Sequence, residues 1–521
     1  MSGRYDVVVV GAGHNGLVAA AYLARAGRSV VVLERGSVVG GTASTIEVIP
    51  GFRASACFQS AETFSPTISR ELRLAGHGLT LSPPRGTAVA AADGPWLRFD
   101  GDGRLAGNGN HPVTTADRAA LADLERLIGR IVGALHPLYR TALPELEALG
   151  AGDTLDLLRV GWRLRRLGRR DMREAMRLLP MSMRDVVEER FESEILGAAI
   201  AGLGLQGGWA GPYAAGTVFA ALHHQMQNPR PLLAGPAFVD GGLGRLSEAL
   251  SKAAQAAGAV VRTEAEVTSI DADAGRAQGV TLDNGDRIEA SIVVSDADPL
   301  RTLLSLVDPG QLAPEFVTAV SNVRARGGVG VVSFALDGLP DPPQGSSPAL
   351  FAGRVQIGGS VVEQERAFDA IRTGRVADRP FLQLTFPSLA DPAAAPDDKH
   401  VATAWVLGVP DDPDALDDSV AAAIERVLPG FTSRVLGCAV ATPSDIEKRY
   451  GATNGCLFDV DVSLDQALFL RPLPGWYGYR TPLRGLYLCG SGTHAGGGIS
   501  GLAGRNAARR IIADLKAGKV D

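Results

Sequence analysis

"VVVVGAGHNGLVAA", residues Val7 to Ala20, is the stretch whose reading decides the fold. Its valine run predicts a buried strand, its glycines a tight turn, and the small residues after them a helix packed closely on that strand. Followed by Gly27 and "SVVVLE", it reads as a βαβ unit: a strand from Asp6 to Val10, a helix from Gly16 to Arg25, and a second strand ending at Glu34. In that setting Gly11 permits the turn, Gly13 lets backbone approach a pyrophosphate, and Gly16 lets helix and strand pack closely. His14 and Asn15 lie at the helix start, where free N–H groups and the positive dipole end hold phosphates. Glu34, 18 residues past Gly16, is placed to accept hydrogen bonds from ribose hydroxyls. An acid there disfavours a 2′-phosphate, so the site reads as FAD or NAD rather than NADP.

The glycine spacing alone decides nothing, because the chain holds 64 glycines in 521 residues and repeats the spacing twice more. Gly202, Gly204 and Gly207 have no strand before them and Pro212 soon after, so that copy reads as chance. Gly496, Gly498 and Gly501 stand in "GLYLCGSGTHAGGGISGLAGRNAARRIIADL", which predicts a strand, a glycine-rich turn and a closing helix. A second helix start suits the flavin edge that becomes negative on reduction. The Gly40-Gly41 pair after Glu34 lets the chain run beside a long, extended dinucleotide. Together these favour FAD over NAD.

Length and composition predict two or more domains. A net charge of −6, from 51 basic and 57 acidic residues, supplies no general reason for nucleic acid as a partner. Cys57, Cys438, Cys456 and Cys489 form no Cys-x-x-Cys pair, which argues against a dithiol centre and a zinc site. No secretory signal is read at the N-terminus, so a cytoplasmic location is expected. Ile195 to Leu222 is uncharged and long enough to span a bilayer, yet it carries Gln206, Pro212 and seven glycines. A buried, cavity-lining segment is the expectation there.

Three blocks of strand-turn texture suggest one nucleotide domain interrupted by insertions. The division expected is FAD-binding 1–80, helical substrate part 81–234, FAD-binding 235–300, sheet-like substrate part 301–440 and FAD-binding 441–521. The fold class is α/β with an α+β second lobe.

Beyond these local readings, the chain resembles the FAD-dependent phytoene desaturase-like family of the glutathione-reductase-type superfamily. Within it, the likeness extends to the pyridine nucleotide-disulphide oxidoreductase domain-containing protein 2 group and to desaturase-type carotenoid ketolases. The stretches that carry it include "GAGHNGLVAAAYLARAG", "VVGGTAST", "FESEILGAAIAG", "TPSDIEKRYG", "SLDQALFLRP" and "GLYLCGSGTHAGGGISGLAGRNAA". The resemblance implies a Rossmann-like FAD domain under a mixed sheet-and-helix substrate domain. It implies that Gly11, Gly13, Gly16, Glu34, Arg35, Gly41 and Thr42 hold the adenosine and diphosphate half, with Gly40 beside them. Val267 would meet the adenine by its backbone, and Gly490, Ser491, Ile499 and Gly501 would sit by diphosphate and flavin. "Disulphide" does not transfer as chemistry, since neither a cysteine pair nor a second nucleotide fingerprint is present.

The expected activity is oxidation or desaturation of an apolar, lipid- or isoprenoid-like substrate, with oxygen or a quinone as electron acceptor. A carotenoid ketolase or isomerase shares the same cofactor site, and a flavin-stabilised interaction protein without turnover is the rival of another class. Candidate catalytic residues are His223, His224 and His494. Trp209 and Tyr213 are candidates for packing on an apolar substrate. From Arg159 to Arg177 eight arginines stand among Leu, Trp and Met, a pattern suited either to a solvated helix face or to an anionic membrane surface.

Overall fold

The computed structural model describes residues 4–91, 96–106, 113–144, 151–207, 209–343 and 347–520, with backbone alone for 151–157. Gly208, in the uncharged stretch, lies outside the described residues.

β1 (Arg4–Val10) and β2 (Val30–Leu33) pair in parallel, Val7 to Val10 opposite Val30 to Leu33. All eight are buried, as expected of parallel strands covered on both faces. The helix between them, α1 (His14–Arg25), begins two residues earlier than the sequence suggests, at His14. A small hairpin follows, β3 (Thr45–Ile49) and β4 (Phe52–Ser55), then α2 (Pro66–Glu71) and the strands β5 (Thr87–Ala90) and β6 (Trp96–Phe99).

The next stretch is helical: α3 (Thr115–Tyr139), α4 (Ala151–Arg166), α5 (Gly168–Leu178), α6 (Met183–Glu188), α7 (Glu194–Ala201) and α8 (Thr217–Gln227). Thr114 starts α3 with a capping box, its hydroxyl and the Asp117 carboxylate each serving the other's backbone. α7 and α8 come from the uncharged stretch and are separated by a 3₁₀ turn at Gly202–Gly204 and a loop. Among the described residues no helix is long and apolar enough to cross a membrane.

α9 (Gly244–Ala256) returns to pack on α1. β7 (Val260–Arg262), β8 (Val267–Asp273), β9 (Arg276–Leu282) and β10 (Arg287–Ser295) follow, with the turn between the last two at Asn284-Gly285. The chain then runs through α10 (Pro314–Ser321), β11 (Val329–Leu336), β12 (Arg354–Ile357), α11 (Val361–Ile371), β13 (Phe381–Thr385) and β14 (His400–Leu407). It ends with α12 (Leu416–Val427), β15 (Val435–Ala441), α13 (Pro443–Tyr450), β16 (Leu486–Leu488) and α14 (Leu502–Lys516).

Two sheets result. The first is ordered β7-β2-β1-β10-β9-β8 with β16 also on β10, so strands from residues 4–33, 260–295 and 486–488 share it. β10 manages two partners on one edge because its first residues pair with β9 and its last with β16. The second is ordered β15-β11-β14-β13-β12-β5-β6. β11 is buried along its whole length. The fold is α/β with a mixed helix-and-sheet second lobe. α14 packs on α1, bringing the two ends of the sequence together.

Candidate functional site: a flavin cleft and the cavities beside it

A cleft of about 270 Å³ opens at the C-terminal ends of β1 and β2, the edge where doubly wound sheets bind nucleotides. Gly11, Gly13, His14, Asn15, Glu34, Arg35, Gly40, Gly41, Thr42, Val267 and Ser491 all line it. The glycines are required here by space. A Cβ on Gly16 would lie 2.4 Å from the Gly11 carbonyl oxygen, and one on Gly40 would lie 2.7 Å from Ser247 Oγ. Glu34 accepts from the Ala12 and Gly36 amides, both at 2.8 Å, so its carboxylate is oriented by backbone.

Two residues join the first glycine turn to the last one. Asn15 Nδ2 donates to Ser491 Oγ at 3.1 Å and its Oδ1 accepts from the Gly504 amide. His14 is buried against the Gly498 backbone, and burial holds its imidazole down to about 4. Its Nε2 is buried without a partner on the wall of the cleft, a donor or acceptor waiting for a ligand.

Four carboxyl groups at this cleft were not singled out from the sequence: Glu266, Asp296, Asp298 and Asp459. Asp296 directly follows β10, and its Oδ2 lies 2.3 Å from where a Gly13 Cβ would stand. It takes the Gly13 and Gly16 amides, the anion position of the α1 N-terminus. Burial, then the charge of Asp459, pushes it well above the usual carboxylate range. Asp459 accepts from the Gly492 amide at 2.8 Å and is raised to about 7 by burial and by Asp298. "SDADP" at the end of a strand beside β1 was the available signal, since strand ends on this edge form the crevice.

The second glycine loop is built differently. Gly490 is packed against the Asp296 carbonyl, and Gly501 caps α14 with its Cα facing Ile68, Phe64 and Val18. Neither lines the cleft, so both shape the loop from behind. Carbonyls of the loop are held by buried side chains. His223 Nε2–H donates to Gly496 O at 2.7 Å while its Nδ1 accepts from Tyr139 Oη–H at 2.8 Å. Gln227 Nε2 donates to Gly497 O at 2.6 Å. His494 Nε2–H donates to Leu138 O at 2.9 Å, and its ring meets Tyr139 edge-on. Burial keeps both histidines neutral, His494 near 4 and His223 well below its ordinary value. Arg471, fully buried, donates to six carbonyl oxygens, those of Phe458, Val460, Asp461, Gln466, Ser491 and Thr493. His223 and His494 are thus placed behind the loop as its supports.

His224 is placed otherwise. It lines a small cavity, about 40 Å³, together with Phe58, Gln59, Arg354, Gln383, Trp405, Gly498 and Ile499. It also lines a second, apolar cavity of about 30 Å³ with Leu124, Ile128, Leu178, Met183, Val218 and Leu222. The uncharged stretch Ile195 to Leu222 therefore supplies a cavity wall. Trp209 and Tyr213 do not face either cavity: Arg326 stacks over Trp209 at 5.9 Å and Arg184 over Tyr213 at 4.4 Å. All four cysteines are free thiols.

The model of one family, "flavin containing amine oxidoreductase", matches residues 16–512. The chain belongs to that family. The chain is 34% identical over 563 residues to the rat pyridine nucleotide-disulfide oxidoreductase domain-containing protein 2, covering 98% of this chain and 94% of that one. It is 26% identical to the hydroxyneurosporene desaturase of Cereibacter sphaeroides, with 98% of each chain covered. In structure it is similar to a redesigned putrescine oxidase, TM-score 0.62 at 17% identity, covering 99% and 100% of the two chains. It is likewise similar to an oxidoreductase from Methanosarcina mazei, TM-score 0.61 at 17% identity, covering 98% and 100%. The family's cofactor is a flavin, and FAD fits the donors present: the glycine cradle, the oriented Glu34 and the unpartnered His14 Nε2.

Proposed function

We propose that this flavin-dependent oxidoreductase oxidises or desaturates an apolar, lipid- or isoprenoid-like substrate held over the loop Gly496–Gly501, and that oxygen or a quinone takes the electrons. FAD supplies the hydride acceptance. The chain's own contribution is to hold, orient and exclude water. The Gly11–Gly16 turn and Glu34 hold the diphosphate and ribose; the His223–Tyr139–Gln227 cluster fixes the loop beneath the reacting region. Neutral His224 is the imidazole that faces the cavities. The observation that carries the reading is the apolar wall from α3, α5, α6 and α8 running to His224, next to the flavin loop. At about 30 Å³ that seam is narrow, so a long chain enters by parting these helices.

The test is anaerobic. Flavin absorbance is followed while the purified holoprotein meets unsaturated lipids, carotenes and NAD(P)H in turn. Bleaching by a lipid supports the reading; bleaching by NAD(P)H alone, or by no donor, overturns it.

A second reading concerns where the substrate enters. Leu158, Trp162 and Met176 are 64%, 58% and 68% exposed among the arginines of α4 and α5, and Leu178 of α5 lines the apolar cavity. A surface of exposed apolar side chains among cations suits an anionic membrane. Flotation with anionic liposomes tests it: loss of flotation on reversing charge at Arg165, Arg166, Arg169 and Arg170 is expected, and unchanged flotation removes the patch.

A further inference from the structure

The cavity beside Gly498 and Ile499 has a wall that a hydrocarbon does not explain. Among the described residues, and apart from Glu62 Oε2, which is ion-paired to Arg230, four buried or half-buried polar atoms on it have no hydrogen-bond partner: Gln59 Oε1, Gln383 Oε1, Trp405 Nε1 and Arg354 Nε. Gln383, Trp405 and Arg354 are 2%, 5% and 6% exposed. An unmet buried donor or acceptor costs about 1–3 kcal/mol, and native proteins hold few of them. Four lining one cavity point to a ligand that meets them.

The kind of ligand follows from which atoms are free. Gln59 spends its amide N–H groups on the Gln383 and Thr403 carbonyls, both at 2.9 Å, so its oxygen is left facing the cavity as an acceptor. Trp405 Nε1–H and Arg354 Nε–H are donors only. The guanidinium of Arg354 is already committed to Glu62 at 3.0 Å, and Glu62 also takes Arg230 at 2.9 Å. A carboxylate here would accept from the donors yet face two amide oxygens. An ammonium would serve the oxygens yet face Arg354. A neutral group that both donates and accepts serves all four.

Resting on the oxidoreductase reading above, we propose that the substrate is an amphiphile whose neutral hydrogen-bonding group, of the carboxamide or hydroxyl class, docks on Gln59, Gln383, Trp405 and Arg354 beside the flavin loop. The cavity's 40 Å³ suits a group of a few atoms, since one buried water needs about 10–15 Å³ on the same measure. His224, shared by this cavity and the apolar one, marks where the polar group gives way to the apolar chain.

Chain-matched probes test this on the holoprotein: decanamide, decanol, decanoate, decylamine and decane, each titrated while flavin absorbance and tryptophan fluorescence are read. Decanamide or decanol is expected to bind at least tenfold more tightly than the other three. Gln383→Leu and Trp405→Phe, which keep most of the volume, are each expected to erase roughly tenfold of that preference while decane is unaffected. Equal binding of all five, tightest binding of decanoate or decylamine, or no response because the cavity holds only water, overturns the proposal. So does an unchanged preference in both variants when flavin content shows them folded. Anaerobic bleaching is scored separately from binding. Amide binding without bleaching by any donor upholds the docking group and sinks the oxidation, while bleaching by hydrocarbons without amide preference does the reverse.

Discussion

The turns at Gly11–Gly16 and Gly496–Gly501 have the same glycine spacing and are built in opposite ways. The first is a backbone device: its glycines give room, and its Gly13 and Gly16 amides meet the Asp296 carboxyl, which is also its nearest side chain. The second is a side-chain device: its carbonyls are held by His223 and Gln227, and the chain leading to it by Arg471. A loop made of glycine loses much conformational entropy on folding, so it stays in one shape only where other groups hold it. Both turns run from a strand into a helix, but the first crosses directly from Val10 of β1 to His14 of α1, whereas the second covers the longer stretch from Leu488 of β16 to Leu502 of α14 and depends on buried donors as well.

Arg471→Leu breaks the second device most severely, because six carbonyl oxygens lose a donor in a dry interior. A loss of about 4 kcal/mol or more in unfolding free energy is expected, at the upper end of single substitutions, read by denaturant titration with flavin fluorescence as a second probe. Gly16→Ala breaks the first device. Its Cβ would stand 2.4 Å from Gly11 O, and α1 must shift from β1. FAD affinity is expected to fall about 100-fold, roughly 2.7 kcal/mol, measured by dialysis, while Gly202→Ala, in the copy without a strand before it, leaves affinity unchanged.

Gln227→Leu is the milder test of the second loop. It leaves Gly497 O without its 2.6 Å donor, and a cost of about 1–2 kcal/mol is expected. A shift in flavin potential or spectrum with little change in FAD affinity would separate loop support from cofactor grip.

The smallest expected effect is a pH dependence confined to the first turn. Asp296 is raised by burial and by Asp459, with Glu34 also unfavourable, while the Gly13 and Gly16 amides pull the other way; Arg471 favours the ionised form of Asp459. A raised acid keeps its proton in the folded state after the unfolded chain has lost it. Its contribution is therefore complete below the ordinary value of 3.8 and is lost as pH rises through the folded value, about 7 for Asp459. A bound diphosphate favours the neutral carboxyl further. FAD affinity is thus expected to decline as pH rises towards and beyond 7 by at most about tenfold per unit for one proton, and Asp296→Asn to flatten the profile. An identical slope in that variant would move the effect to Asp459.

Much of the cofactor half was legible. Valine runs without alternation predict parallel strands, and glycine spacing, Glu34 and Gly40 mark the cleft because each acts through local geometry. Asp296 was within reach, as the residue after such a strand, but its role needs β10 to lie beside β1, a pairing between residues 285 apart. His223, His224 and His494 were all found as residue types in suggestive places. Only packing separates them, since His224 faces the cavities while His223 and His494 spend ring nitrogens behind the loop. The polar cavity was not legible at all. Gln59, Arg354, Gln383 and Trp405 come from a loop and three strands of the second sheet, and none stands in a local pattern.

The sequence by itself determined the nucleotide cradle, its preference for FAD and the α/β class, because these depend on neighbours along the chain within a few tens of residues. Tertiary structure alone decided how the second glycine turn is held, which histidine meets a cavity, and which polar atoms are left without partners. Those properties depend on what lies opposite a side chain after burial, and a buried group's chemistry is set by the neighbours that folding brings to it.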